Sequence, residues 1–507
     1  MAATYPTLPD LVKSMNGVPT TNQWDIVCSY TVAQLNAFLT AQYQAGKLAK
    51  EIKLSTKRQD PLTGAIFTIS YDIQFASPKL TFMTGRSGFG YLTMPINNGS
   101  SYSVTPDGAI KPTKTAPIPG GIYSVQATVP LAAIQGDTGS VIEQGQVVYF
   151  SDGKPEDNHV IIHFKNAKGT LYKILPEPDP KDKDVLVTYF LPVLDQYFQD
   201  DVSEVDYALA SVNNTPAPVG QTALTPKSFA FASTGEGDAG VLSLYIQTKE
   251  SGNPPGNPAP SFQPGDTATF PIPQGYTASL IFANDLITKT FITPQLTQNG
   301  FTTSYDSTND GISAQLKKDG SVVAKSEHNN YIFSGSSYDG LNISLNDHPV
   351  NLIIKQGQMS LHWSAKTTSG WSTYASGGMS TVTQYGSVDL TLTMDKGPYP
   401  LVLTDNDITI AKVDVSSSDF KVNTSAGGCK WYEVIVGCSE SVPSFYKGDM
   451  KLSIPSISVE LHGLNFLCDT NLLAPGQHMI DMDDKKGVQT PHDFLIVGQV
   501  TAVKTNR

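Results

Sequence analysis

Polar and apolar residues alternate with a period of two along much of this chain, and that period predicts strands. Between Ile66 and Phe75 the apolar set Phe67, Ile69, Tyr71, Ile73 and Phe75 is interleaved with Thr68, Ser70, Asp72 and Gln74, as in an antiparallel strand with one buried face. Tyr123, Val125, Ala127, Val129 and Leu131 repeat the pattern, as do Leu341, Ile343 and Leu345, and later Val388, Leu390, Leu392 and Met394. Turns rich in Gly, Pro and Asn separate these runs.

Three segments change period and predict helices. Over Val32–Ala45, Val32, Leu35, Phe38 and Leu39 form an apolar stripe. Thr31 stands at the N-cap, Gln34 completes a capping box, and Gly46 marks the stop. Val185–Gln199 carries Tyr189, Phe190, Val193, Leu194, Tyr197 and Phe198, with Pro192 expected to kink or shorten it. Asp285–Leu296 carries Leu286, Ile287, Phe291 and Ile292, with Asn284 as cap and Pro294 disturbing the last turn.

The first and third helices share a context. Each follows a short apolar strand, Trp24-Asp25-Ile26-Val27 or Ser279-Leu280-Ile281-Phe282, and each precedes a long series of strands. That repetition predicts an internal duplication. The Pro/Gly-rich stretch 251–265 cannot hold a central strand and is the expected linker. The expected modules are therefore 20–250 and 266–507. Thr, Ser and Gly dominate Trp363–Gly386, which reads as exposed edge strands or long hairpins.

Composition narrows the function. The 507 residues carry 34 basic and 46 acidic side chains, a net charge of −12. Nucleic-acid affinity rests on Lys and Arg at phosphates, so this balance argues against a nucleic-acid partner. It leaves the uptake of a lipid tail open, because that depends on apolar area. The four cysteines, Cys28, Cys429, Cys438 and Cys468, include no CxxC pair, which argues against a zinc ribbon or a thioredoxin motif. Cys429 and Cys438 could meet across a hairpin. The start, Met1-Ala-Ala-Thr-Tyr-Pro-Thr, has no secretory pattern, and no apolar run approaches the ~20 residues of a transmembrane helix. The expectation is a chain cytoplasmic as synthesised, with any release independent of a secretory signal.

Catalytic and metal templates fit poorly. Gly85-Arg86-Ser87-Gly88-Phe89-Gly90 lies between strands with no helix to follow, so it reads as a turn. The segment from Asp306 to Gly311 starts like a calcium loop, but the twelfth position is Lys317 where a bidentate Glu is required. His159 and His163 flank a strand-like Val160-Ile161-Ile162, and four residues along a strand span roughly 13 Å, too far for one metal. No catalytic residue, metal ligand or cofactor site is assigned, and the chain reads as a non-enzyme.

One resemblance adds to this. Trp24-Asp25-Ile26-Val27, running at once into a helix with Val32, Leu35, Asn36 and Leu39, resembles the opening of the clostridial P-forty-seven family. Ser279-Leu280-Ile281-Phe282-Ala283-Asn284-Asp285-Leu286 resembles its mid-chain helix, and Ser228–Ser233 and Gly240–Ile246 resemble its inter-module strands. The resemblance implies a tubular lipid-binding (TULIP) architecture: a predominantly antiparallel α+β fold of two modules, each a long helix wrapped by a strongly curved sheet. It implies an accessory protein of a bacterial toxin or secreted-protein cluster, carrying a lipid, fatty acid or other apolar ligand. The candidate groove residues are Val32, Leu35, Phe38, Leu39, Phe67, Ile69, Ile287 and Phe291. Two alternatives stand beside it: a lipid-free scaffold for a co-encoded protein partner, and a membrane-acting (pore-forming or insecticidal) toxin component.

Overall fold

The computed structural model describes residues 5–502 except 84, 137–138, 152–154, 167–168, 254–255, 265–268, 307–309, 320, 325–326, 331–333, 378–379, 405–406, 411–412, 425–450, 453–456, 458–459 and 473–477. Cys429 and Cys438 lie outside the described residues, while Cys28 and Cys468 are buried and not disulfide-bonded.

A seven-stranded antiparallel sheet joins the two halves of the chain. Its central strands are Ile26–Thr31 and Ala278–Phe282, paired with Ile26 opposite Phe282 and Tyr30 opposite Ala278. Outside them lie Ala239–Thr248 on one side and Phe494–Ala502 on the other, each in a hairpin with a further strand. The arrangement repeats about the centre in hydrogen-bond detail. Thr31 N–H donates to the Thr277 carbonyl (3.0 Å), and Ala283 N–H donates to that of Asp25 (2.9 Å). The Asp25 carboxylate accepts from Thr248 N–H (2.7 Å), as Thr277 Oγ1 accepts from Val500 N–H (2.9 Å).

Both faces of this sheet are covered, which is why its central strands are apolar at successive positions rather than alternating. Ile26, Cys28, Tyr30, Leu280 and Phe282 enter the main core. Trp24, Val27, Tyr245, Ile281 and Leu495 enter a second cluster on the opposite face. Helix α1, Leu8–Met15, covers that face with Leu11 and Met15, which stand one helical turn apart. The segment read as a linker contributes to the same cover. Phe262 is buried there, and Gly256 lies so close to the Trp24 indole that a β-carbon would stand 2.5 Å from it.

On the main-core side, each half sends one helix out of its central strand. Helix α2, Val32–Gln44, begins as expected, with Gln34 N–H donating to Thr31 Oγ1 at 3.2 Å. The reciprocal half of the capping box is not used, because Thr31 N–H is already spent on Thr277. Helix α3 runs without a break through Pro180–Lys183, the π-helical Asp184–Phe190 and Leu191–Asp200. Helix α4 likewise joins Asn284–Leu286, the π-helical Ile287–Ile292 and Thr293–Gln298. Pro192, expected to kink or shorten its helix, does not shorten α3, and α4 runs on past Pro294, which was expected to disturb its last turn. Each sits in the first turn after a π-helical stretch, where widening of the coil relieves the clash of the ring with the preceding turn. A last helix, α5, combines Leu464–Phe466 with the π-helical Leu467–Asn471.

Curled sheets complete each half. In the first half a four-stranded sheet runs Glu51–Gln59, Ile66–Gln74, Ser101–Pro106 and Lys114–Pro117, beside a seven-stranded one. In the second half a ten-stranded sheet is built around the long hairpin Gln358–Gly377 and Ser380–Thr404. That hairpin departs from the exposed reading at its base. Trp363 is fully buried, packs on Phe420 at 5.7 Å and donates its indole N–H to the His348 carbonyl (2.9 Å). The fold is thus predominantly antiparallel α+β, with curled sheets closing on helices.

Candidate functional site

The candidate groove residues fall into three places. Val32, Leu35, Phe38 and Leu39 line the buried face of α2. Burial of each contributes roughly 2 kcal/mol. Two amides fix that helix at its polar margins. Asn36 brackets Leu80, accepting from its N–H (2.7 Å) and donating to its carbonyl (2.9 Å), and Gln42 donates to the Ala208 carbonyl (3.1 Å). Ile287 and Phe291 are buried on α4, in the other half. Together with Ile69, these six residues belong to one contiguous apolar cluster that runs through both halves. Phe67 is half-buried.

The inward face of strand Ile66–Gln74 meets α3, a partner that its sequence pattern does not show. Tyr71 packs on Phe190 with ring centres 5.1 Å apart and donates its hydroxyl to the Val185 carbonyl (2.8 Å). Burial pushes the Tyr71 phenol well above its ordinary range, so it stays a neutral donor. Arg58 lies over the Tyr189 ring at 5.0 Å, tying the neighbouring strand to the same helix. Farther along α3, Phe198 stacks on Phe164 at 4.5 Å, with Tyr172 and Tyr207 around the pair.

Burial along the strand is graded. Ile73, Tyr71 and Ile69 are closed in, and Phe67 is half-open. The neighbours follow: Ile52 is buried where Leu54 is partly so, and Tyr102 is buried where Val104 is partly so. On α3, Val185, Val187 and Tyr189 are also only partly buried. These six half-covered apolar residues, Phe67 among them, were not all legible in sequence. The i, i+4 spacing of Val185 and Tyr189, and the alternation of Ile52 with Leu54, were the available signals.

Beyond Phe67 two hairpin turns end the sheet side by side, held by a bond from Asp107 N–H to the Ile66 carbonyl (2.8 Å). Leu62 is 94% exposed on one turn and Ile110 is 99% exposed on the other. Lys57, Arg58, Lys111 and Lys114 flank these turns, against Asp60 and Asp107, so this end is basic within an acidic protein. Asp60 accepts from Leu62 and Thr63 N–H (both 2.9 Å), and these bonds hold its carboxyl below the usual range.

Other chemistry is sparse. His159 pairs with Ser211 through Nδ1 (2.7 Å) on strand Asp157–Ile162, and Ser87 Oγ donates to the Ser233 carbonyl (2.9 Å). Among the described residues no three His, Cys, Asp or Glu side chains gather as a metal site. No described helix is long and apolar enough to cross a membrane.

Helices that follow directly on the central strands, enclosed by curled antiparallel sheets, define an α+β tubular fold of the TULIP kind. P47 from Clostridium botulinum A2 superposes over 95% of this chain and 98% of its own length, with a TM-score of 0.50 and 14% identity. P47 of Clostridium botulinum E1 aligns over 95% and 100%, at a TM-score of 0.47 and 12% identity. A lipopolysaccharide binding protein aligns over 95% and 100%, at 0.30 and 10%. This chain shares its fold with the A2 P47, and at that identity the likeness is one of fold alone. No family model matches the chain and no curated protein is similar to it in sequence.

Proposed function

We propose that this protein binds an acyl chain between the four-stranded sheet of its first half and the N-terminal part of α3. The observation that carries this is the gradient of cover along strand Ile66–Gln74, from closed at Ile73 to half-open at Phe67. Half-covered apolar side chains stand on both elements, Leu54, Phe67 and Val104 on the sheet and Val185, Val187 and Tyr189 on α3, and Tyr71 and Arg58 join the two. A tail of twelve methylenes contributes on the order of 10 kcal/mol on burial, before ordering costs. The exposed Leu62 and Ile110, with their flanking lysines, would meet the bilayer from which the chain is drawn.

The proposal needs no cofactor, nucleic acid or catalytic step. It treats residues 20–250 and 266–507 as two modules joined through 251–265, with the ligand in the first. On this reading the protein is an accessory of a toxin or secreted-protein cluster, able to meet a co-encoded partner. Native mass spectrometry of gently purified protein tests it. A mass increment that organic extraction removes, and that proves to be a lipid or fatty acid, supports the proposal. Protein that is empty, and stays empty after incubation with oleate, counts against it.

A further inference from the structure

A small cleft opens where the ends of two sheets meet. Phe150 and Ser151 follow strand Val148–Tyr149, Lys227 belongs to Pro226–Glu236 and Lys249 follows Ala239–Thr248, three neighbours in the central sheet. Asn214 follows Ala208–Asn213, an edge strand of the seven-stranded sheet of the first half. These five residues border about 250 Å³. Pockets for drug-sized ligands run from ~300 to 1,000 Å³, so this one suits a compact molecule.

The lining carries two cations and no acid. Backbone bonds fix the segments that bear them: Phe150 N–H donates to the Lys227 carbonyl (3.2 Å), and Lys249 N–H donates to that of Thr225 (3.0 Å). The ladder slips at Lys227, because Pro226 pairs with Thr248 and Ser228 with Gln247, which leaves Lys227 with no residue opposite. Such a bulge re-aims a side chain out of the strand's alternation. Neither ammonium group has a hydrogen bond, ion pair or ring contact among the described residues. Lys79, Lys289, Lys355 and Lys396, by contrast, each reach an aspartate at 2.8 to 3.0 Å. Two like charges on one small cleft repel each other, and an anion between them removes that cost.

Asn214 is an independent mark. It is 2% exposed, and its Oδ1 accepts from Glu156 N–H at 2.7 Å. Its Nδ2 has no partner among the described residues. Buried polar groups of folded proteins are nearly always paired, so a spare donor beside two ammonium groups calls for an acceptor-rich ligand. The neighbouring acids are engaged elsewhere. Glu156 Oε2 accepts from Ser151 N–H (3.1 Å), and Glu250 accepts from Thr222 Oγ1.

We propose that this cleft binds a compact phosphate monoester. Lys227 and Lys249 neutralise the phosphate, Asn214 Nδ2 and Ser151 Oγ donate to its oxygens, and the half-buried Phe150 flanks the ester group. Such a phosphate carries a charge of about −1.5 to −2 near neutral pH, which two lysines match; a carboxylate would leave one of them uncompensated. The site shares no residue with the acyl slot and does not depend on it. Calorimetric titration of the full chain with glycerol 3-phosphate is the test, with acetate as the monoanion. The ester should bind one to one, and acetate roughly tenfold more weakly or worse. Lys227 and Lys249 are exposed, so their variants should fold as wild type. Lys227→Gln and Lys249→Gln should each weaken the ester roughly tenfold, and the two together should abolish binding. Asn214→Asp keeps the acceptor for Glu156 N–H and replaces the donor with a negative charge, so it should abolish binding too. Vesicles of phosphatidylcholine and phosphatidic acid, added as competitor, identify the source: displacement of bound glycerol 3-phosphate indicates a lipid headgroup and its persistence a free ester, with phosphate the recognised group in both. No saturable heat up to about 10 mM ester, equal affinity for acetate, or unchanged affinity in the double lysine variant would overturn the proposal.

Discussion

Phe38 and Phe67 sit on either side of the distinction between a packed core and a ligand slot, and truncating each to alanine should have different consequences. Phe38 is 1% exposed and meets Tyr30 edge-on at 6.2 Å in the closed interior beside α2. Its removal leaves a cavity that cannot collapse, at a cost of roughly 3–5 kcal/mol. Phe67 is half-buried at the open end of its strand. Roughly 100 Å² of apolar surface is covered there, worth at most about 2.5 kcal/mol, and solvent fills the gap, so about 1–2 kcal/mol should be lost. The ligand should feel the second change more. Losing the ring's contact with two or three methylenes removes about 2 kcal/mol of binding, roughly a thirtyfold weakening. Urea unfolding and titration with a fluorescent fatty acid measure the two quantities on the same samples. If Phe67→Ala costs as much stability as Phe38→Ala, or leaves fatty-acid uptake unchanged, the slot reasoning fails.

Other consequences follow from the same contacts. Leu62→Asp with Ile110→Asp should abolish flotation with anionic vesicles while shifting stability by no more than about 0.5 kcal/mol, because both side chains are almost fully exposed. Asn36→Ala strands the Leu80 N–H and carbonyl that Asn36 brackets and should cost about 2–4 kcal/mol in urea unfolding. Thr31→Ala removes the acceptor for Gln34 N–H and should cost about 1 kcal/mol. Asp493 has its carboxyl raised by burial. Its ionisation therefore costs stability that is absent below the unfolded pKa of about 4 and grows as pH rises toward the folded value. The stability of wild type relative to Asp493→Asn, followed by pH-dependent urea unfolding, should fall across that window. A flat difference would show that burial does not penalise this carboxylate.

The sequence patterns disclosed local structure well and mutual arrangement poorly. Alternation placed the inward face of strand Ile66–Gln74, and Thr31 with its 3.6-period stripe placed α2 within a residue of its observed end. The repeated strand-to-helix openings did correspond to the two strands at the centre of the shared sheet. Four things escaped. The eight-residue helix Leu8–Met15 shows only two buried residues, Leu11 and Met15, too few to set a period. Pro192 and Pro294 read as disruptions because π-helical turns, which absorb them, have no composition of their own. The contact of strand Ile66–Gln74 with α3, made through Tyr71, had no signal along the chain. Which helix a curled sheet closes on is a tertiary matter that periodicity does not carry. The half-open margin beside Phe67 escaped for the same reason, since an apolar residue at a slot and one in a core look alike along the chain.

Photo-crosslinking with a diazirine fatty acid, with the labelled peptides mapped by mass spectrometry, addresses the slot itself. The geometry predicts adducts on both walls, at Leu54, Phe67 or Val104 and at Val185, Val187 or Tyr189, suppressed by excess oleate. Labelling confined to other surfaces, or indifferent to the competitor, would contradict an acyl site between this sheet and α3.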